Sequence, residues 1–132
     1  MVQESVHVGT TIERAAREVY EYAATPAHLS NWAAGLARQP VQEIDGRWVV
    51  ESPLGRVVVA FTPPNEYGVL DHDVTLPSGQ TVTNPLRVIA NGDGCDVVFS
   101  VRRQPGMSDA EFAADVDAVN KDLATLRSIL ER

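Results

Sequence analysis

Residues 68–88 read GVLDHDVTLPSGQTVTNPLRV, and the first half of this stretch alternates between two sets of side chains. Successive side chains of a β-strand point to opposite faces, so the alternation predicts a strand with one apolar face. That face carries Leu70, His72, Val74 and Leu76. Its single polar member is His72, and an imidazole on a face that otherwise resembles a core is the first candidate for a functional group.

The turn residues Pro77-Ser78-Gly79 predict that this strand continues into a hairpin. A three-residue loop, with Gly79 in the left-handed conformation, places His72 directly opposite Asn84. A two-residue loop would turn polar residues of the second strand onto the apolar face, so the three-residue loop is preferred.

The period of two extends from residue 38 to residue 104. Turn signals interrupt it at residues 45–46, 53–55, 63–65, 77–79 and 91–94. The spacing predicts six strands in a meander, and neighbours must be antiparallel because each connection is too short for a crossover. Residues 3–12 predict a further strand that joins the meander, which gives a seven-stranded antiparallel sheet.

Two other hairpins have registers that their turn residues predict. Closure of the last hairpin around its glycine-rich turn pairs Leu86 with Phe99. A turn at residues 54–55 sets Trp48 against Phe61. For the first hairpin, at residues 45–46, both orientations of the strand stay open.

Helical patterns flank the strands. Two short helical segments are predicted over residues 13–24 and 27–36, and a long helix over residues 108–131. Ser108 and Glu111 have the spacing of a capping box at the start of the long helix. Its apolar residues recur at steps of four and three and are Phe112, Val116, Val119, Leu123, Leu126 and Leu130. This single apolar stripe needs a surface to cover, and the sheet offers one.

Together the predicted registers give the sheet one long apolar face. Its members are Trp48, Val50, Val57, Val59, Phe61, Leu70, Val74, Leu76, Val82, Leu86, Val88, Val97, Phe99 and Val101. Three polar residues interrupt this face, namely His72, Asn84 and Arg103. The histidine and the amide are therefore expected to lie together under the long helix.

Composition argues against several classes of function. A net charge of −7 opposes nonspecific binding to nucleic acid or to an anionic membrane surface. The single cysteine, Cys95, cannot form an intrachain disulfide, and no Cys/His group has the spacing of a metal site. No apolar run approaches the roughly 18 residues of a membrane span, and the N-terminus lacks the features of a signal peptide. We expect a cytoplasmic protein without metal or cofactor.

The order of elements and two stretches of sequence resemble a known group, the START-like (SRPBCC) superfamily with its helix-grip fold. The stretch TIERAAREVYEYAATPAHLSNWAAGL, residues 11–36, is similar to the N-terminal signature of that group. There a Val-aromatic pair, here Val19-Tyr20, is followed about a dozen residues later by a tryptophan, here Trp32. Residues 103–130, RQPGMSDAEFAADVDAVNKDLATLRSIL, resemble the C-terminal helix of small bacterial polyketide cyclase-like members.

The resemblance implies an α+β fold in which residues 1–132 form a single START-like domain. A seven-stranded antiparallel sheet would wrap around the long C-terminal helix, with two short helices after the first strand. Members of the group enclose an elongated cavity between the concave face of the sheet and that helix. Alternation alone would equally allow a filled core, and the same scaffold serves binding, transport and catalysis.

His72 and Asn84 are the candidate catalytic residues. An imidazole can accept a proton at the wall of an apolar pocket, and an amide opposite it could orient the ring or hold a substrate carbonyl. The candidate ligand-binding residues are Trp48, Phe61, Leu70, His72, Asn84, Leu86, Phe99 and Arg103. Arg103 could instead leave the cavity at its mouth. The alternative to a site is a structural pair, in which a buried His72 is satisfied by Asn84.

Three functions follow from these residues and from the resemblance. The first is the binding of a small hydrophobic or aromatic molecule in the cavity, because an apolar wall with a few polar groups is the usual composition of such sites. The second is an enzyme of the polyketide cyclase or dehydratase kind, with His72 as general base and no cofactor. The third is a partner-protein adaptor, as in the Hsp90-activator-like members. No nucleic acid and no membrane insertion are expected, and the identity of any protein partner stays open.

Overall fold

The computed structural model describes residues 2–37 and 39–132, and its elements follow the predicted order. The strands are β1 (Ser5–Ile12), β2 (Gln42–Ile44), β3 (Arg47–Ser52), β4 (Gly55–Phe61), β5 (His72–Thr75), β6 (Thr81–Asn84), β7 (Leu86–Asn91) and β8 (Gly94–Arg102). The helices are α1 (Ala16–Ala24), a 3-10 turn (Pro26–His28), α2 (Leu29–Trp32) and α3 (Asp109–Leu130). The predicted α+β architecture, with antiparallel strands, short helices after β1 and a long C-terminal helix, is confirmed.

The strands form two antiparallel sheets, in the orders β1-β8-β7 and β2-β3-β4-β5-β6. The predicted single sheet had seven strands, and the difference comes from Pro85, which separates β6 from β7. A proline has no backbone N–H and cannot donate to a sheet ladder. If β6 and β7 are counted as one interrupted strand, the seven predicted strands are recovered, with β1 joined to the meander through β8.

The two sheets meet along residues 68–70, immediately before β5. The Leu70 N–H donates to the Leu86 carbonyl at 2.8 Å, and the Val88 N–H donates to the Gly68 carbonyl at 2.9 Å. Residues 72–75 pair instead with β4 and β6. A single stretch of chain therefore belongs to both sheets and holds them together.

The predicted register of the β5–β6 hairpin is confirmed. Gly79 has a φ of +91°, as the three-residue loop requires. The Leu76 N–H donates to the Gln80 carbonyl at 2.8 Å, and His72 lies opposite Asn84. The last hairpin also has its predicted register. It pairs Leu86 with Phe99 and Val88 with Val97.

The predicted register of the β3–β4 hairpin is wrong by two residues. Trp48 lies opposite Val59 and not opposite Phe61. The loop is Pro53-Leu54, one residue earlier than predicted, because Ser52 closes it: its hydroxyl donates to the Gly55 carbonyl at 2.8 Å. A shift of two residues keeps the same side chains on the inner face, so the face pattern could not reveal the error.

The first hairpin, whose orientation was open, turns through Asp45 and Gly46, both with positive φ. It pairs Ile44 with Arg47 and Glu43 with Trp48. Glu43 thus shares the face of Trp48, while Ile44 and Arg47 lie on the other face.

Helix α3 begins with the predicted capping box. The Glu111 N–H donates to the Ser108 hydroxyl oxygen at 3.1 Å, and the Ser108 N–H donates to the Glu111 carboxylate at 3.0 Å. Five of the six stripe residues are buried, and Val116 is half-buried. The helix packs mainly against β1, β8 and α2. The helix therefore covers the core on the side formed by β1 and β8.

The two short helical segments are shorter than predicted. Helix α1 begins at Ala16 rather than at residue 13, and the segment predicted over residues 27–36 contains one 3-10 turn and one turn of α-helix. Thr25 follows α1, where its hydroxyl donates to the Glu21 carbonyl at 2.8 Å and so does not cap the next helix.

Candidate functional site

A cleft of about 640 Å³ opens between the short helices and the strands β3 and β4. Most of its lining residues are apolar. They are Tyr20, Ala24, Pro26, Gly46, Arg47, Trp48, Val58, Val59, Ala60, Phe61, Thr62, Pro63, Pro64 and Thr75. Because residues from both faces of β4 contribute, the cleft passes around the end of the sheet where β3 begins.

Three aromatic side chains set the character of this cleft. Trp48, near the start of β3, and Phe61, at the end of β4, lie on the same inner face because of the period of two. Tyr20 approaches from α1, and its hydroxyl oxygen accepts the Asn65 N–H at 3.0 Å. The hydrogen of that hydroxyl stays free to donate to another group.

His72 lies beside Phe61, its cross-strand partner on the same inner face, and does not line the cleft. Its side chain is buried, with 6% of the residue exposed, between Phe61 and Phe99. The centroid of the His72 ring is 5.2 Å from the ring centroid of Phe61 and 5.9 Å from that of Phe99. His72 Nδ1 is 3.0 Å from the Leu70 carbonyl oxygen, so Nδ1 carries the hydrogen and donates it. Nε2 makes no hydrogen bond with any described residue.

Burial lowers the pKa of His72 from its ordinary value of 6.5, because the charged imidazolium would lose its hydration. The hydrogen bond to the Leu70 carbonyl and the negative charges of Asp71 and Asp73 oppose this shift without reversing it. The ring is therefore neutral at neutral pH, and Nε2 carries a free lone pair.

The carboxylate of Asp71 is held on the outside of the sheet by Arg87. The guanidinium donates to both carboxylate oxygens, at 2.8 and 2.7 Å, and the Leu86 N–H donates at 2.9 Å. These hydrogen bonds hold the pKa of Asp71 below its usual range. The pair fixes β5 against the start of β7.

Asn84 lies across the ladder from His72, but the predicted side-chain pair does not form. Within residues 2–37 and 39–132, the Asn84 amide has no hydrogen bond, and His72 is satisfied by its own strand. The alternative of a structural His72–Asn84 hydrogen bond is therefore wrong.

Arg103 lies away from the other predicted site residues. Its guanidinium forms ion pairs with Glu4 at 3.2 Å and Asp109 at 2.6 Å, and it donates to the Met107 carbonyl. It also lies 5.9 Å from the ring centroid of Phe112. This cluster borders a second cleft of about 380 Å³ between β1 and α3. Arg103 therefore does not line the same cleft as Trp48 and Phe61.

The predicted ligand-binding residues thus separate into groups. Trp48 and Phe61 line the large cleft. His72 lies beside Phe61 and next to Phe99, outside the lining of the cleft, while Leu70 and Leu86 are buried in the core. Helix α3 contributes no residue to the large cleft, whose other wall comes from α1 and the 3-10 turn. That cleft therefore lies at the end of the sheet and not between the sheet and the C-terminal helix.

Sequence reasoning missed the lining residues that come from turns and helix ends, such as Pro26, Arg47 and Pro63-Pro64. The prolines were interpreted as turn signals only. Arg47 precedes Trp48 at the first position of β3, where alternation assigns it to the outer face. Its position at the end of the strand was the signal that could have placed it at a rim.

No cluster of three or more His, Cys, Asp or Glu side chains that could hold a metal ion occurs in residues 2–37 and 39–132. Across the same residues, no helix has the length and apolarity needed to cross a membrane.

Comparison with solved structures decides the fold family. A START superfamily protein from Mycobacterium smegmatis superposes with a TM-score of 0.71 at 11% identity, over 96% of this chain and 97% of that one. The chain has a START-like fold. No protein-family model and no curated protein matches its sequence.

Two other proteins share the START-like fold at low identity. The Aha1 dimer from Colwellia psychrerythraea matches with a TM-score of 0.76 at 13% identity, over 99% of this chain and 97% of that one. DynU16, a protein of the dynemicin biosynthetic locus, matches at 0.72 and 15% identity over 98% of this chain. The chain spans 48% of the length of DynU16. At these identities the likeness is one of fold.

Proposed function

We propose that the protein binds a small hydrophobic or aromatic molecule in the cleft between α1 and the strands β3 and β4. The observation that carries this proposal is the wall formed by Trp48, Phe61 and Tyr20. Aromatic side chains bring large apolar area and preferred stacking geometries to a bound ring. The cleft volume of about 640 Å³ falls within the roughly 300–1,000 Å³ typical of small-molecule sites.

The START-like fold supports the same proposal by analogy. A protein of the dynemicin locus and a START superfamily protein share this fold. The fold alone does not fix a function, so the weight rests on the lining of the cleft. The proposal places the protein in the cytoplasm, with no nucleic acid as partner, in keeping with its single cysteine and its net charge of −7.

A fluorescent probe tests the proposal directly. N-phenyl-1-naphthylamine is a neutral aromatic molecule that brightens in apolar surroundings, and we expect it to bind saturably to the protein. Trp48→Ala should weaken this binding by about tenfold, since truncating a buried aromatic anchor typically costs more than 1 kcal/mol. Tyr67→Ala is the matched control, because Tyr67 is 83% exposed and outside the cleft. Equal binding to wild type and Trp48→Ala, with both folded, would contradict the assignment of the cleft.

Native mass spectrometry of freshly purified protein adds a test that needs no chosen ligand. A co-purified small molecule should appear as a mass increment that Trp48→Ala reduces and Tyr67→Ala retains. An increment of equal abundance in both variants would place the molecule elsewhere.

Catalysis is the second candidate, and the neutral ring of His72 with its unpartnered Nε2 is the observation that favours it. His72 would remove a proton next to a substrate carbonyl, and the Asn84 amide would donate to the resulting enolate oxygen. The Phe61 ring borders both His72 and the cleft, so this chemistry requires Phe61 to move aside. His72→Gln should abolish turnover of a trial polyketide while probe binding is kept. Turnover unchanged in His72→Gln would remove His72 as the base.

A further inference from the structure

Within residues 2–37 and 39–132, Arg47 is the single charged residue that lines the large cleft. The chain contains 18 acidic residues, yet none of them contributes to this lining. A guanidinium at the rim can offer an anion a charged hydrogen-bonding partner, although the protein as a whole is negative.

The side chain of Arg47 has no hydrogen bond and no ion pair with any residue that the structure describes. Six other arginines are paired with carboxylates, namely Arg14, Arg17, Arg56, Arg87, Arg103 and Arg127. The position of Arg47 in the hairpin explains the difference. Its cross-strand partner is Ile44, and the nearby acid Glu43 lies opposite Trp48 on the other face. The guanidinium therefore keeps its five N–H donors available at the rim.

Tyr20 adds a second donor from the opposite wall. Its hydroxyl oxygen already accepts the Asn65 N–H at 3.0 Å, so the hydroxyl hydrogen is the part that remains to be used. The hydroxyl of Thr62, by contrast, already donates to the Asp71 carbonyl at 2.7 Å. Among the described lining side chains, the Arg47 guanidinium and the Tyr20 hydroxyl hydrogen have no acceptor, so a ligand that brings acceptors would complement both.

We infer that the ligand is an aromatic anion, with its ring system against Trp48 and Phe61 on the inner face and its acidic group reaching around the start of β3 to Arg47 on the outer face. This inference rests on the proposed function and adds the chemical class of the ligand to it. A carboxylate or sulfonate matches the planar fork of a guanidinium and forms charge-assisted hydrogen bonds with it. An aromatic ligand with a positive charge, such as a quaternary ammonium, would be repelled by the same guanidinium.

Two probes with the same aromatic body separate the charge from the ring. N-phenyl-1-naphthylamine is neutral, and 1-anilinonaphthalene-8-sulfonate carries one sulfonate on the same skeleton. We expect the wild-type protein to bind the sulfonate about tenfold more tightly than the neutral probe, which is the size expected of one partly exposed charge-assisted pair. Added salt should reduce this preference.

Variants of Arg47 test its role, and Arg56 provides the matched control. Arg56 lies on the same hairpin, is paired with Glu51 at 2.9 Å and does not line the cleft. Arg47→Gln should remove the preference for the sulfonate without weakening the neutral probe, Arg47→Lys should retain part of it, and Arg56→Gln should retain it fully. An equal loss in Arg47→Gln and Arg56→Gln would overturn the inference, because overall charge would then explain the binding. Saturable binding of both probes with no preference in the wild type would also overturn it while leaving the proposed function standing, whereas binding of neither would overturn both.

Discussion

His72 and Asn84 face each other across the β5–β6 ladder without a hydrogen bond between their side chains. The imidazole turns instead toward the Leu70 carbonyl of its own strand, at 3.0 Å. The register places the two residues opposite each other, but their side chains are not hydrogen-bonded. Either residue can therefore be replaced without removing a hydrogen-bond partner from the other.

His72→Phe should make the protein less sensitive to acid. Because the pKa of His72 is lowered below 6.5 in the folded protein, the unfolded chain takes up its proton first, and stability falls as the pH drops below 6.5. Removing the imidazole removes this part of the pH dependence. At pH 8 the variant should lose only about 1 kcal/mol, from the lost hydrogen bond to Leu70. Urea unfolding at pH 5 and pH 8 measures both effects.

His7→Phe is the control for that experiment, since His7 is an exposed residue of β1. It should keep the acid sensitivity of the wild type. If His72→Phe loses stability between pH 8 and pH 5 as steeply as His7→Phe does, the lowered pKa of His72 is not the cause.

Gly79→Val should destabilise the protein by about 1 kcal/mol or more, because a β-branched residue resists a φ of +91°. No atom lies within 4 Å of the added Cβ, so backbone strain is the whole effect. Asparagine tolerates left-handed backbone better, and Gly79→Asn should cost less. Chemical denaturation compares the three proteins, and equal stability of Gly79→Val and the wild type would contradict the strain.

Gly68→Ala should lower the free energy of unfolding more than Gly79→Val or Gly106→Ala does. The added Cβ would come within 2.1 Å of the Val88 carbonyl oxygen, at the place where residues 68–70 join the two sheets. Gly106→Ala is the matched control, because Gly106 also has a positive φ but no atom within 4 Å of its added Cβ. We expect Gly68→Ala to cost at least about 2 kcal/mol more than Gly106→Ala in thermal or urea unfolding. Similar losses of stability in the two variants would contradict this expectation, because the close approach of Gly68 to the Val88 carbonyl would then not matter for stability.

Asp122→Asn should stabilise the protein at pH 7.5. Burial raises the pKa of Asp122 from 3.8 to about 6, although the backbone N–H groups of Gly35 and Ala34 donate to the carboxylate and oppose the shift. The folded protein therefore holds this proton more tightly than the unfolded chain does, and stability is lost as the pH rises from about 4 through 6.

Asparagine imitates the protonated acid at that position and should add about 1 kcal/mol at pH 7.5, a value reduced from the full shift because the carboxyl is partly exposed to solvent. Asp117→Asn, an exposed change on the same helix, controls for the loss of one negative charge. A gain of equal size in both variants would mean that net charge, and not the site of Asp122, is responsible.

The predicted elements that depend on local chemistry are those that the structure reproduces. Gly79 fixed the β5–β6 register because only the three-residue loop places Val82 on the same apolar face as Val74. For the β3–β4 hairpin, two loops two residues apart in register give the same faces, and the choice depended on the Ser52 hydroxyl bond to Gly55. Face alternation contains no information on that bond.

The candidate site was less predictable than the fold, because its walls come from parts of the chain that are distant in sequence. Trp48 and Phe61 were placed correctly on the inner face by alternation. Whether the space beside them opens toward α1 or toward α3 depends on how the helices dock, which is a property of tertiary packing. His72 was predicted as part of the wall, but Phe61, its neighbour on β4, lines the cleft and His72 does not.

Pro85 lies between the two sheets, which differ in how they pack against α3. The β1-β8-β7 half carries most of the α3 packing, while the strands that line the large cleft belong to the other half. At the junction, Pro85 accepts the Ser100 N–H at 3.0 Å but has no N–H of its own to give. We therefore expect the sheet that lines the large cleft to open more readily than the sheet against which α3 packs. Amide hydrogen exchange should then be faster in β3 and β4 than in β8, and a ligand bound in the large cleft should slow the exchange first in β3 and β4.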